Sequence, residues 1–360
     1  MRSQVSKLDI ERHALWAGAS GSVLGLIVAL IVFAGRRPPL AGGLSVGSVS
    51  ALTAGAAVVA ASIWGFRQLL VVREPWLADI PAWRKALTMT GLVLVHSGGI
   101  VMALTTLFYL AQQAFFGLDV DTLAGSLFVA AATGIGCYIA LGSTARTDAA
   151  SLAGVLGVFM VAGVSISMLL AEELGWWRVM FSSLGTWRAG AGSFWTFNTT
   201  LVVSGLVLAS LTEFLTRDLA RLGAIYRERV QARPRRWGKV FRPRPWFVRW
   251  CLLLVAAAVV FIGLVPVAPA ESLHSAFVRI AAAGMMVLFA GSLLLFPGFP
   301  AAFHLFSVAS LIAVVLANLL WTRWHYYNLT AFELVAVAIC FGWLSVFIRT
   351  TAAMVEGIES

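Results

Sequence analysis

The chain has 360 residues, of which 60% are hydrophobic and 12% are charged, and its mean hydropathy is +0.90. Soluble domains carry about 25% charged residues, so this chain lacks the charge that a globular surface needs. The composition excludes a soluble enzyme, a disordered chain and a secreted disulfide scaffold. The net charge of +10 is interpreted as a topology signal rather than as nucleic-acid binding, because lysine and arginine collect on the cytoplasmic side of membranes.

Ten apolar segments are long enough to cross a bilayer, which takes about 20 residues per helix. The first segment exceeds the apolar region of a signal peptide, about 7–15 residues, and is predicted to remain as a helix. The predicted fold class is therefore all-α, a polytopic transmembrane helical bundle. The predicted spans are residues 14–35, 42–66, 86–112, 122–144, 149–171, 195–216, 250–268, 276–296, 301–322 and 328–348.

The distribution of basic residues predicts the orientation. Residues 217–249 hold 11 basic and two acidic side chains. If this loop is cytoplasmic, both termini are cytoplasmic as well, and the inner segments hold 20 of the 26 lysines and arginines, a strong positive-inside signal. The composition is typical of a high-GC bacterial genome. Together with the charge distribution, it predicts a bacterial plasma-membrane protein. Within the loop, residues 215–230 could lie as an amphipathic helix on anionic lipid, or the loop could act only as a topology determinant.

Two membrane regions are predicted, a four-helix region over residues 1–145 and a six-helix core over residues 149–350. Small residues four apart, which allow helices to approach closely, occur in the first region. These pairs are Gly21 with Gly25 and Gly43 with Gly47.

Ionisable and polar groups within spans are functional candidates, because they are costly there. Arg279 and Glu333 are predicted to lie at a similar depth near the outer interface and to form an ion pair. Glu213, near the inner end of its span, is expected to form a solvated pair. The candidate residues of an outward-facing pocket are Glu172, Glu173, Trp176, Trp177, Ser183, Asn198, His274, Arg279, His325 and Glu333. The alternative interpretation is an aromatic belt with one structural salt bridge.

No catalytic or cofactor motif is present. The chain has no HExxH, Walker A or GxSxG pattern, its histidines do not form a haem pair at matched depth, and its three cysteines lack metal or redox spacing. No cofactor, metal or catalytic residue is therefore expected. His96, in the middle of its span, is interpreted either as part of a proton path or as a structural, hydrogen-bonded histidine.

Three stretches carry a resemblance to a known family. Residues 181–185 contain an S-x-L-G element, Phe197 and Asn198 open the next span, and residues 263–274 carry a G-x-x-P element followed by His274. Over residues 149–350 the chain resembles the domain-of-unknown-function family 998 of bacterial and archaeal integral membrane proteins, and residues 327–333 resemble its longer members. The resemblance implies a six-helix bundle and no established activity. By analogy with six-span eukaryotic proteins it suggests a lipid-related role.

The sequence is compatible with three functions. The first is a non-enzymatic membrane protein whose outward pocket binds a lipid headgroup or small amphiphile, with membrane lipids as partners. The second is a transporter or permease, which predicts a polar cavity near His96 or Asn318. The third is a lipid-modifying enzyme, which predicts Glu172 or Glu173 beside His274 or His325.

Overall fold

The computed structural model describes residues 5–231 and 244–359. Within these residues the chain is helical, and its only β pairing is an isolated bridge between Pro39 and Asp119. Ten helices are long and apolar enough to cross a membrane. This confirms the predicted all-α fold class, and the chain is an integral membrane protein. The helices are α1 Lys7–Val32, α2 Val46–Arg73, α3 Ala82–Ala114, α4 Thr122–Ala145, α5 Ala149–Leu169, α6 Ala191–Gln231, α7 Pro245–Leu264, α8 Val267–Ala290, α9 Ala301–Thr322 and α10 Leu329–Glu359.

Short polar side chains set the starts of several helices, because they satisfy backbone N–H groups that have no partner within the helix. At α4, Asp121 accepts hydrogen bonds from the N–H groups of Ala124 at 3.0 Å and Leu123 at 2.9 Å. The hydrogen bond from Ala124, followed by that from Leu123, lowers the pKa of Asp121 below its usual range. Capping boxes begin α1, α2 and α5 at Ser6, Ser45 and Asp148.

One helix continues well beyond its predicted span. The sixth span was predicted to end at residue 216, and α6 runs on to Gln231. Residues 215–230 therefore continue α6 and do not form a separate helix. Residues 232–243 of the basic loop lie outside the described residues, and the contact of this loop with anionic lipid stays a prediction.

The prediction for α8 was wrong at its start. The seventh span was predicted to end at residue 268, and the eighth was predicted to begin at residue 276. Instead α7 ends at Leu264, and α8 spans Val267–Ala290 with Pro266 as its N-cap residue. Ala268 and Ala270 have non-helical backbone angles, so the regular part of α8 follows Ala270. Proline is tolerated in the first turn of a helix, where its missing N–H would have no intrahelical partner.

The described chain divides into two compact units, with the boundary between Thr147 and Asp148. In unit 1, α4 packs against α1 and α2, and α2 also packs against α3. Arg73, at the end of α2, donates to the carbonyl oxygens of Ala145 and Thr147, both at 2.9 Å. A cation at this position satisfies carbonyls that have no partner at the C-terminal end of α4.

Glycines bring α1 and α4 close together in unit 1. A Cβ at Gly25 would lie 2.9 Å from the carbonyl oxygen of Val129, and one at Gly21 would lie 2.9 Å from the Cys137 sulfur. The predicted pair Gly21 and Gly25 thus packs at a helix interface, as small residues four apart allow. In the second pair only Gly47 is in close contact, against Phe108, whereas Gly43 faces open space.

Replacing Gly25 with leucine is expected to lower the stability of unit 1 by about 1–3 kcal/mol, the usual cost of overpacking a close interface. The added side chain has no space between α1 and the α4 backbone. Thermal unfolding of the purified chain in detergent measures the change. Ala19→Leu is the matched control, because Ala19 lies on the exposed face of α1. Equal transition temperatures for the two variants would contradict the close packing of α1 on α4.

In unit 2, α6 is the most buried helix and packs between α5 and α7. Helix α8 packs against α7, α9 packs against α8 and α10, and α10 contacts α5 and α6. Large aromatic side chains fill one region of this unit, and the Trp343 indole donates to the Ser307 hydroxyl at 2.8 Å. The members of this cluster are Phe289, Phe296, Phe299, Phe303, Trp343 and Phe347.

A buried ion pair joins α6 to α7. Arg249 of α7 donates one hydrogen bond at 3.0 Å to Glu213 of α6 and a second through its other terminal nitrogen. The Glu213 side chain is only 2% exposed and that of Arg249 is 15% exposed. The expectation of a solvated pair at Glu213 is therefore wrong, because α7 covers this carboxylate and supplies its cation from another helix.

Candidate functional site

The segment between α5 and α6, residues 170–190, folds over one end of unit 2, and we call it the capping loop. It contains three short 3₁₀ turns, at Trp176–Arg178, Phe181–Gly185 and Trp187–Ala189. The middle turn contacts α6, α8 and α10. The candidate residues that were predicted from the sequence lie in this loop, at the helix ends beside it, or further along α8.

Two side chains hold the capping loop, one in α10 and one directly before this helix. The Glu333 carboxylate accepts a hydrogen bond from the backbone N–H of Phe181 at 2.5 Å and one from the Ser182 hydroxyl at 3.4 Å. The Asn328 amide donates to the carbonyl oxygen of Trp177 at 2.7 Å. The contact of Glu333 with the Phe181 N–H is the shortest hydrogen bond that holds the loop to α10 and its N-terminal end.

Asn198 of α6 holds the middle turn of the loop. Its buried amide donates to the carbonyl oxygens of Gly185 at 3.0 Å and Phe194 at 2.9 Å. A Cβ at Gly263 of α7 would lie 2.7 Å from the carbonyl oxygen of Asn198. The capping loop, α6 and the end of α7 therefore meet at Asn198, and the absence of a side chain at Gly263 permits this approach.

His274 lies near the start of α8 and is only 5% exposed. Its Nδ1 is 2.7 Å from the carbonyl oxygen of Val265. Since a carbonyl can only accept, Nδ1 carries the proton, and Nε2 of the neutral ring is an acceptor. Nε2 is buried and has no hydrogen-bond partner among the described residues. Buried polar atoms are nearly always paired, so this nitrogen is a candidate ligand contact.

The predicted ion pair between Arg279 and Glu333 is wrong. Glu333 is bound by Phe181 and Ser182, and Arg279 is exposed with no carboxylate within 4.0 Å among the described residues. Arg279 lies well along α8, whose regular part follows the non-helical Ala270. At about 1.5 Å per residue, Arg279 lies roughly 12 Å along this regular part, whereas Glu333 lies only about 6 Å along α10.

The remaining candidates divide between packed and exposed positions. Trp176 is half-buried with its ring edge against Phe181, at a centroid distance of 6.4 Å. The Ser183 carbonyl oxygen accepts a hydrogen bond from the Thr186 hydroxyl at 2.7 Å. The Arg178 guanidinium lies 5.3 Å from the centre of the Trp177 ring. The exposed candidates are Glu172, Glu173, Trp177, Arg279 and His325.

The geometry that a lipid-modifying enzyme was expected to have is not present in the described part of the chain. Neither Glu172 nor Glu173 lies within 4.0 Å of a histidine nitrogen of His274 or His325 there. Glu172 lies instead against Gly190, where a Cβ would be 2.5 Å from its carboxyl carbon. Gly190 has a φ of 89°, so both space and backbone conformation favour glycine.

Several residues that hold the loop were not predicted from the sequence. Ser193 donates to the carbonyl oxygen of Leu184 at 2.9 Å, and its hydroxyl is 3.0 Å from that of Ser167. Asn328 also caps α10, accepting from the N–H of Ala331 at 3.1 Å. Only Asn328 had a signal in the sequence, an asparagine directly before an apolar helix. Serines within apolar spans are too common to single out.

Comparison of the chain with models of protein families, with curated proteins and with solved structures finds no match. The resemblance to family 998 stays a prediction. The three stretches on which it rests lie in contact, since Asn198 binds Gly185 and adjoins Gly263, and His274 binds Val265.

Proposed function

We propose that this integral membrane protein binds the polar headgroup of a lipid or small amphiphile beside the capping loop, without catalysing a reaction. The observation that carries the proposal is that Nε2 of His274 is buried and has no hydrogen-bond partner among the described residues. His274 lies at the start of α8, the helix that contacts the middle turn of the loop. The charge distribution of the sequence supports an outward position for this end, in a bacterial plasma membrane.

The chemistry of the site selects a hydrogen-bond donor. Nδ1 of His274 is held by Val265, so Nε2 can only accept unless the ring gains a second proton. Glu333 already accepts hydrogen bonds from the loop. A headgroup that carries a hydroxyl or ammonium group would therefore donate to His274, with its apolar part directed along the helices into the bilayer.

The test compares lipid retention by the purified full-length chain and its His274→Asn variant. Asparagine keeps an N–H near the position of Nδ1 and removes Nε2. Native mass spectrometry of protein extracted from mixtures of phosphatidylethanolamine and phosphatidylglycerol measures the bound lipid. We expect binding about fivefold to tenfold weaker in the variant, the loss of about one hydrogen bond, with an unchanged unfolding temperature.

His325→Asn is the matched control, because His325 is an exposed histidine next to α10. Its lipid retention is expected to equal that of the unmodified chain. Equal retention in all three proteins would refute the binding site at His274, and so would an equal loss in both variants.

A permease is the second candidate, favoured by His96 in unit 1. Its Nδ1 is 2.7 Å from the carbonyl oxygen of Leu92, and its Nε2 is buried without a partner in the part of the chain that the structure describes. Such a ring can pass a proton in the middle of a span. Proton flux into liposomes that contain the protein, lost in His96→Asn, would favour this function over headgroup binding alone.

A further inference from the structure

A groove in unit 1 lies between the last turns of α2 and the first turns of α3. It has a volume of about 340 Å³. Helix α2 is π-helical over Gly65–Leu70 beside this groove. Such wider turns are rare and frequently occur at functional sites. Here Phe66 and Leu70 are buried, whereas Arg67 is exposed at the groove.

Two cations from different helices line the groove. Arg67 comes from the π-helical turns of α2, and Lys85 comes from the first turn of α3. The Lys85 ammonium donates to the carbonyl oxygen of Ala78 at 3.1 Å, which leaves it two further N–H groups. Neither cation has a carboxylate within 4.0 Å in the described chain. The groove therefore presents two positive charges that no acidic side chain neutralises.

The rest of the lining is apolar, and its members are Phe66, Val71, Ala82, Ala86 and Met89. A soluble anion would gain nothing from such a surface, whereas an acyl chain buries apolar area against it. The groove lies where a span meets the membrane surface, because Trp83, 65% exposed, stands at the start of α3. Tryptophan is enriched at this level of a bilayer.

We propose that this groove binds an anionic phospholipid, with its phosphate between Arg67 and Lys85 and an acyl chain along Phe66, Ala86 and Met89. The site is separate from the one proposed at His274. By charge distribution this end of unit 1 is cytoplasmic, because Arg67, Arg73, Arg84 and Lys85 outnumber Glu74 and Asp79 there. Anionic lipids attract basic groups at that face, and basic pockets between helices bind their headgroups.

The experiment titrates phosphatidylglycerol into the purified full-length chain in neutral detergent and counts bound lipid by native mass spectrometry, with phosphatidylcholine as the uncharged comparison. The test variant replaces Arg67 and Lys85 together with glutamine. The matched control replaces Lys7 and Arg12 with glutamine, which removes the same charge from exposed positions of α1 in unit 1. We expect about tenfold or greater weakening in the test variant and less than twofold in the control.

A second variant, Ala86→Trp, fills the apolar part of the groove and keeps both cations. It is expected to lose phosphatidylglycerol binding while its unfolding temperature is kept, and it tests the proposal even if the charge variant does not fold. Equal weakening in the charge variant and its control would overturn the site. Unchanged binding by Ala86→Trp, or binding of glycerol phosphate as tight as that of the lipid, would also overturn it.

Discussion

Replacing Arg249 with methionine is expected to lower the free energy of unfolding by about 3–5 kcal/mol, the usual cost of removing one partner from a buried ion pair. Glu213 would lose both hydrogen bonds that Arg249 donates, while α7 still covers its carboxylate. Methionine has a similar length and fits the apolar surroundings, so lost packing contributes little. Unfolding in mixed micelles with increasing denaturing detergent, followed by tryptophan fluorescence, measures the change.

The matched control is Arg244→Met, which removes an exposed arginine just before α7 and is expected to change stability by less than about 0.5 kcal/mol. The double variant Arg249→Met with Glu213→Leu is expected to recover most of the loss, because two apolar residues replace the pair without leaving a buried charge. If the double variant lost as much unfolding free energy as Arg249→Met and Glu213→Leu together, the two residues would not be coupled.

The ten helices were predictable from the sequence because each depends on a local property, an apolar run of sufficient length. Helix ends depend on other forces. The apolar run of α6 stops at Arg217, but backbone hydrogen bonds do not require apolar side chains, and the helix continues to Gln231. The seventh span was predicted to run to residue 268, but Pro266 and Pro269 belong to the start of α8 and not to the end of α7.

The site was predictable only in part. Depth along the spans placed Asn198, His274 and Glu333 near one end of unit 2, and the capping loop does contact the helices that carry them. The partner of Glu333 was not predictable, because it is a backbone N–H in the loop, and every residue except proline offers that donor. Arg249 was likewise counted with the basic loop, although the α6–α7 contact makes it the partner of Glu213.

Replacing Glu333 with leucine is expected to release the capping loop from α10. The buried N–H of Phe181 would lose its acceptor, at a cost of about 1–3 kcal/mol. Glutamine keeps an acceptor oxygen of the same reach, so Glu333→Gln is expected to cost less than Glu333→Leu. Local opening then exposes the backbone of the loop to proteases.

Limited trypsin digestion measures this opening, because the loop carries Arg178 and Arg188 and both are exposed. We expect cleavage at these two sites to accelerate about tenfold or more in Glu333→Leu and less in Glu333→Gln, in the order of their hydrogen-bond losses. Glu173→Leu removes an exposed carboxylate from the same loop and serves as the control, with an unchanged rate. If Glu333→Leu were cleaved no faster than Glu173→Leu, the loop would be held by Asn198 and Asn328 without Glu333, since those two amides bind Gly185 and Trp177.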